Sequence, residues 1–325
     1  MSTSPPLDEI LELACRAPSV HNTQPWRWRI TGTRIDLFAD YSRQLLQADP
    51  AGRDLMISCG AALHHFQVAA ACLGWTARVR RLPDILNERH IARIELTRSD
   101  PAPEATVLLE ALQGRRTDRR RPTSWPVPWD RLVNLASTGN SWGAHVRPVE
   151  AEATKAHLER LTDQARRIQD RSPAYLAELT SWTHYSDAQG VPVTHVPDHP
   201  HAFAETRTES YDRFPTGALP DPLLEPEPSQ DALLLVCTSS DDAISWVRAG
   251  ETLSAVWVQA TQENLAVVPL SQAIEVDETR HELQMDVLAD RAFPQLLLRV
   301  GWLPASRDAL PPTPRRPLDE VVIGQ

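Results

Sequence analysis

Residues 53–73 constrain this chain more than any other stretch. They are rich in leucine, methionine, phenylalanine, alanine and valine on more than one face. A helix apolar nearly all round has no side to give to water, so the pattern predicts a helix buried at the centre of the molecule. Gly74 follows it, a residue suited to ending a helix in the left-handed conformation. Trp75 to Val79 then read as β-structure. The same order returns later in the chain. Gly60 and Leu63 match Gly250 and Leu253, Val68 matches Val258 and Ala70 matches Ala260, all at an offset of 190. Gly74 matches Asn264, which also tolerates left-handed backbone, and Leu265 to Val268 repeat the β-like run. Ahead of the helix, Ile10, Leu13 and Ala14 match Leu132, Leu135 and Ala136 at an offset of 122. The chain therefore reads as two divergent copies of one unit.

The expected division is residues 1–104 for the first copy and 105–325 for the second. In the first copy an amphipathic helix at 7–16 precedes two strands, Trp26 to Ile30 and Arg34 to Ala39, turning at Thr31-Gly32-Thr33. Strands at 75–81 and 91–96 complete it, and Ser99 to Pro103 read as a linker. The offset grows by about 68 residues between the matched segments, which places an insertion at about 150–230. Two helical patterns, 151–170 and 173–184, open it. Residues 185–230 then contain eight prolines. A long irregular segment in a compact protein is a lid, a binding loop or an excursion. The fold class expected is α+β, two pseudo-symmetric units of antiparallel sheet and helices sharing the buried helices at 53–73 and 241–264.

Charge and cysteine usage remove some functions. The formal net charge of −10 argues against a nucleic-acid surface. No uninterrupted run reaches the ~18 apolar residues of a membrane span, and the N-terminal residues carry neither a basic nor an apolar leader pattern. The four cysteines are scattered without a C-x-x-C, so a reducing cytoplasm is the expected compartment.

The richest local feature is Ala17-Pro18-Ser19-Val20-His21-Asn22-Thr23-Gln24-Pro25-Trp26-Arg27-Trp28. Its two prolines push Ala17 and Gln24 out of the right-handed helical region, which predicts a stiff, extended loop. Five consecutive-to-near polar side chains lie between them, able to bond a flat polar ligand. Arg115-Arg116-Thr117-Asp118-Arg119-Arg120-Arg121 is either a solvated charge run or an anion cradle built of guanidinium forks and a hydroxyl. Arg315-Arg316, held between Pro314 and Pro317, is a second such cluster.

Other patterns point elsewhere and weaken on inspection. Gly139-Asn140-Ser141-Trp142-Gly143 spells the G-x-S-x-G of a nucleophile elbow. That device needs a strand before the serine and a helix after it, and the periodicity here predicts the reverse. His195, Asp198, His199 and His201 could suggest a metal site, but they fall in the proline-rich segment and read as loop. His64 and His65 lie on the buried helix and read as satisfied core or interface residues. Trp182 and Trp246 carry no signal that places them near a ligand.

Taken together, A-P-S-V-H-N-T-Q-P-W-R-W, R-R-T-D-R-R, Val268-Pro269-Leu270-Ser271-Gln272, Gly301-Trp302-Leu303-Pro304 and the P-R-R-P-L-D-E-V-V ending resemble the nitroreductase family of FMN proteins. The two-copy length is similar to its Acg-type branch in actinobacteria. The resemblance implies an FMN placed between two copies of the unit. Each required element occurs once in good form: Pro18-Ser19-Val20-His21-Asn22 in the first copy, Arg115 to Arg119 and Arg315-Arg316 in the second. The counterpart of the first loop, Ser137 to Trp142, has lost the Pro-Ser and Gln-Pro-Trp. One FMN per chain is implied, in an internal pseudo-dimer that is a monomer or associates further as a homodimer. By the match, Arg115, Thr117, Arg119, Arg315 and Arg316 hold the phosphate and ribityl chain. Pro18, Ser19, Asn22 and Gln24 line the ring, and Pro269, Leu270 and Ser271 approach its N5. Val20, His21 and Gln272 depart from the family pattern. No catalytic side chain and no metal are implied. The expected chemistry is transfer of hydride from NAD(P)H to FMN and on to a nitroaromatic or quinone-like acceptor. The alternative is a flavin store or stress protein whose insertion covers the ring.

Overall fold

The computed structural model describes residues 4–183, 189–198, 213–214, 217–220, 231–304 and 307–324. Two sheets of antiparallel strands form, the first from the predicted alternating segments. In the first, Trp26–Thr31 (β1) and Arg34–Ala39 (β2) make a hairpin. Trp75–Arg81 (β3) and His90–Arg98 (β4) extend it in the order β3–β4–β2–β1. In the second, His145–Val149 (β5), Ala232–Thr238 (β6), Leu265–Leu270 (β7) and Phe293–Trp302 (β8) run β5–β6–β8–β7. Read from its other edge, this is the first order again, with β5 to β8 standing for β1 to β4. The registers agree as well: Trp75 faces Arg98 and Leu265 faces Trp302. Each sheet carries a one-residue bulge at the equivalent place, with Ile91 skipped opposite Leu37 and Phe38, and Gln295 skipped opposite Val236 and Cys237.

The helices are Leu7–Ala14 (α1), Arg53–Cys72 (α2), Ala105–Gly114 (α3), Trp129–Asn140 (α4), Glu152–Gln169 (α5), Pro173–Thr183 (α6), Ala243–Gln262 (α7), Gln272–Glu275 (α8), Asp277–Glu282 (α9) and Leu318–Val321 (α10). α2 and α7 pack against each other at the centre. Their crossing is reciprocal: a Cβ on Gly60 would lie 2.1 Å from the Val247 carbonyl oxygen, and one on Gly250 would lie 1.9 Å from that of Ile57. Only glycine permits so close an approach of two backbones. Gly74 (φ +80°) and Asn264 (φ +59°) terminate the two helices in the left-handed region. α2 is long and apolar enough, on length and composition, to cross a membrane, but 83% of that window is buried inside the protein.

The two sheets differ in what covers them. Trp26, Trp28, Ile35 and Leu37 pack on Ile10, Leu11, Phe66 and Leu112 of the helices, while alternate residues of β3 face water. The second sheet is covered on both faces. Leu135, Val256 and Trp257 of α4 and α7 lie on one side, and Leu158, Leu161 and Ile274 of α5 and α8 on the other. This is why β6 is a continuous apolar run buried along its whole length. Val322–Ile323 (β9) adds a parallel strand to the first sheet beside β1. The fold is α+β, two sheets flanked by helices.

Of the insertion expected at 150–230, α5 serves as a covering layer for the second sheet. Tyr175, Leu179, Val191, Val196 and Phe214 instead form a small apolar cluster against Leu45 and Ala48 of the first half. Residues 199–212 and 221–230, including His199 and His201, lie outside the described residues.

Candidate functional site

The loop between α1 and β1 departs from the extended path that its prolines predict. His21 (φ +46°), Asn22 (φ +55°) and Gln24 (φ +50°) all take left-handed backbone. Pro25 bars right-handed helix at Gln24, and the chain coils instead of stretching because local bonds reward it. Asn22 and Thr23 N–H donate to the Ser19 and Val20 carbonyls (3.0 and 2.9 Å), and Gln24 N–H donates to Ser19 Oγ (3.0 Å). Three such residues together are costly unless neighbours fix them. Arg315 does so. Its guanidinium donates to the carbonyls of Cys15 (2.9 Å) and Arg16 (3.1 Å) and to Asn22 Oδ1 (3.0 Å). Asn22 Nδ2 in turn donates to the carbonyls of Gly190 (2.9 Å) and Pro314 (3.0 Å).

The coiled loop forms one wall of a cavity through Pro18, Ser19, Val20, His21 and Asn22. α2 supplies Asp54, Ile57 and Ser58, and α7 supplies Leu253 and Trp257. Arg115, Thr117 and Arg119 enter from the segment after α3, and Val268 to Gln272 from the end of β7. Thr313 and Arg315 close one end, and Val191, His195, Val196, Arg213 and Phe214 of the insertion cover another. Ten of the residues expected at the site thus share one cavity. Gln24 and Arg316 do not line it. They bond each other behind the loop, where Arg316 N–H donates to Gln24 Oε1 (2.8 Å). Arg316 lines an adjoining cleft with Arg16, Arg115, Arg116 and Arg315, so Arg115 and Arg315 belong to both walls.

The arginine run divides by role. Arg120 is held bidentately by Asp118 (2.9 and 2.7 Å) and is structural. Arg119 stacks over Phe214, 4.9 Å from the ring centroid. Arg115 is buried, lies 4.5 Å over the Trp257 ring and donates one hydrogen bond to the Arg16 carbonyl (2.9 Å). Its Nε has no partner in the structure. Burial, then the charges of Arg315, Arg116 and Arg16, depress its pKa well below the ordinary value. Among the described residues no carboxylate lies within ion-pair distance of it.

Other contacts in the wall join residues distant in sequence. His21 has both ring nitrogens buried without partners, and its ring lies 5.5 Å from Phe214. Burial, with Arg213 and Arg119 nearby, pushes its pKa well down, so it is neutral. Ser271 Oγ donates to Glu275 (2.6 Å) and accepts from Arg213 (3.1 Å). Val20 N–H donates to Ser58 Oγ (3.1 Å), tying the loop to α2. Asp54, Ser58, Trp257, Arg213 and Phe214 were missed by sequence reasoning. The only available signal was Asp54 itself, an acid at the head of an otherwise apolar helix.

The competing patterns settle into structural roles. Ser141 follows α4 and precedes β5, and its hydroxyl donates to the Thr138 carbonyl (2.6 Å). His195 Nε2 donates to the Pro311 carbonyl (3.0 Å). His64 and His65 each place Nδ1 2.7 Å from Ser254 Oγ across the α2–α7 contact.

No family model matches the chain. Its sequence is 40% identical over 321 residues to Rv3131 of Mycobacterium tuberculosis H37Rv, provisionally named an NAD(P)H nitroreductase; the match spans 96% of this chain and 90% of that one. It is 35% identical over 327 residues to acg of the same organism, named provisionally in the same way, across 99% of this chain and 96% of the other. Among solved structures, the FMN- and NADPH-dependent nitroreductase NfnB of sphigopyxis sp. strain HMH shares 18% identity at a TM-score of 0.42, over 67% of this chain and 98% of that one. That likeness is too loose to bear on the site. On the identity and span of the two mycobacterial relatives, the chain belongs to the nitroreductase-like family.

Proposed function

We propose that this chain binds one FMN in the cavity and passes hydride from NAD(P)H to a nitroaromatic or quinone-like acceptor. The observation that carries the reading is Arg115: a buried guanidinium among like charges, with an unpartnered Nε and, among the described residues, no acid beside it. A buried cation in that setting is stabilised by an anion, and a phosphate matches the guanidinium fork. Thr117, Arg119 and Arg315 share its wall, and Arg316 stands in the adjoining cleft. These residues fit FMN. They would hold its phosphate end, and Pro18, Ser19, Asn22, Pro269, Leu270 and Ser271, which share the cavity, would line the ring. When bound, the flavin would supply the two-electron chemistry. The protein's part is to orient it and exclude water. The NAD(P)H dependence rests on the names of the mycobacterial relatives.

The repeated strand order, the shared register and bulge, and the reciprocal glycine contact all support an internal pseudo-dimer of residues 1–104 and 105–325. The site then lies between the two copies, and a cytoplasmic monomer suffices to build it.

One observation favours a second reading, flavin storage: Phe214, Val196 and Pro192 of the insertion cover the cavity. A ring covered in this way has no free face for a nicotinamide or an acceptor unless the cover moves. Purified protein is mixed anaerobically with NADPH and with NADH while the flavin absorbance is followed. Bleaching supports the oxidoreductase. Persistent yellow colour with both supports storage. A colourless protein that takes up no FMN overturns both.

A further inference from the structure

Asp54 is the acidic side chain that the described cavity wall contains, and the reading above gives it no role. It stands in the first turn of α2 and is 4% exposed, with both carboxyl oxygens buried and lacking any hydrogen-bond partner in the structure. The surrounding groups explain why it is left alone. Asp49 lies beside it and uses Oδ2 to accept the Leu55 N–H (2.8 Å). Arg53 comes within 3.8 Å of Asp54 Oδ1, but its Nη2 is drawn to the Ile274 carbonyl (2.7 Å) and its Nε bonds nothing. From α8, Glu275 adds a further negative charge. Arg213 also faces Asp54, but it pairs with Glu275 and donates to the Tyr175 hydroxyl (3.0 Å) and to Ser271 Oγ (3.1 Å).

A buried carboxyl that receives no donated hydrogen bond and sits among other acids is more stable as the neutral acid. Burial, followed by the charge of Asp49, raises the Asp54 pKa accordingly. A neutral carboxylic acid at a cavity wall is a proton source, and the other ionisable side chains that line this one are arginines and histidines.

We infer that Asp54 is the proton donor of this cavity, serving an acceptor that is reduced at oxygen, of the quinone class. The inference rests on the oxidoreductase reading. A quinone becomes a hydroquinone by gaining two electrons and two protons. Hydride from a reduced flavin carries both electrons and one proton. The second proton leaves the Asp54 O–H bond and forms an O–H bond on the acceptor. Asp54 is left as a carboxylate and recovers its proton from water. Ferricyanide, a one-electron acceptor, requires no such proton.

The test uses the reduced holoprotein, mixed anaerobically with a benzoquinone or with ferricyanide, from mildly acidic to mildly alkaline pH. In the native protein the ratio of quinone to ferricyanide re-oxidation rates should fall on the alkaline side. Asp54→Asn should lower that ratio about 100-fold, in line with the usual size of general acid catalysis, and remove its pH dependence. Infrared spectra should show the C=O stretch of a protonated carboxyl at neutral pH in the native protein and not in Asp54→Asn. A native ratio independent of pH, or no protonated carboxyl band, overturns the inference even if the variant fails to fold. If NAD(P)H does not bleach the flavin, the oxidoreductase reading fails instead, and dithionite-reduced protein still tests Asp54.

Discussion

Arg115 and Asp54 are two buried ionisable groups with opposite histories in the sequence. Arg115 stood out because it belongs to a dense basic run, and the structure separates it from Arg120, which Asp118 already satisfies. Arg115→Ala should weaken FMN binding roughly 10- to 100-fold, the size of a lost hydrogen bond to a charged group, measured by titrating FMN into apoprotein. Asp54 could not be found by pattern, because one acid in a long apolar stretch looks like a helix-start residue. Its effect on stability has a definite sign. Burial raises the Asp49 pKa from 3.8 to about 6, and Asp54 is raised as well. An acid whose folded pKa exceeds its unfolded value favours folding below the unfolded value and loses that advantage as pH rises toward the folded one. Native thermal stability should therefore decline between about pH 4 and pH 6 and beyond. Asp54→Asn should match the native midpoint near pH 4 and exceed it near pH 8.

Among the elements, the central helices were the most legible. An all-round apolar stretch followed by glycine or asparagine specifies both burial and an end point, and α2 and α7 run to within a residue or two of where those signals place them. β6 was not set out in advance as a strand, since an apolar run seven residues long has no period to read. The coiled loop was the clearest error. Proline states which conformations its neighbour avoids, but not which remaining one it adopts, and that choice is made by Arg315, far away in sequence. The glycine crossing gives a symmetrical prediction. Gly60→Ala and Gly250→Ala should each destabilise the protein by about 3 kcal/mol, and by similar amounts, in urea unfolding. A marked effect at only one of them would argue against a reciprocal contact.

For the whole molecule, the sequence offset predicted the repeat but not the geometry that makes it one body, which depends on side chains meeting across nearly the full length of the chain. If the two halves form an internal pseudo-dimer, titration should give one FMN per chain, and sedimentation should show that monomers bind it. Two flavins per chain would remove that reading. The clamp on the coiled loop has a further consequence, one of timing. The ribosome makes Cys15 300 residues before Arg315, which bonds Cys15, Arg16 and Asn22, and β9, which pairs with β1, comes later still. The loop must wait through translation with its left-handed residues unsupported. A nascent chain halted before Arg315 should hold β1 to β8 yet leave Pro18–Gln24 open to proteases, so the cavity matures after both sheets have been made.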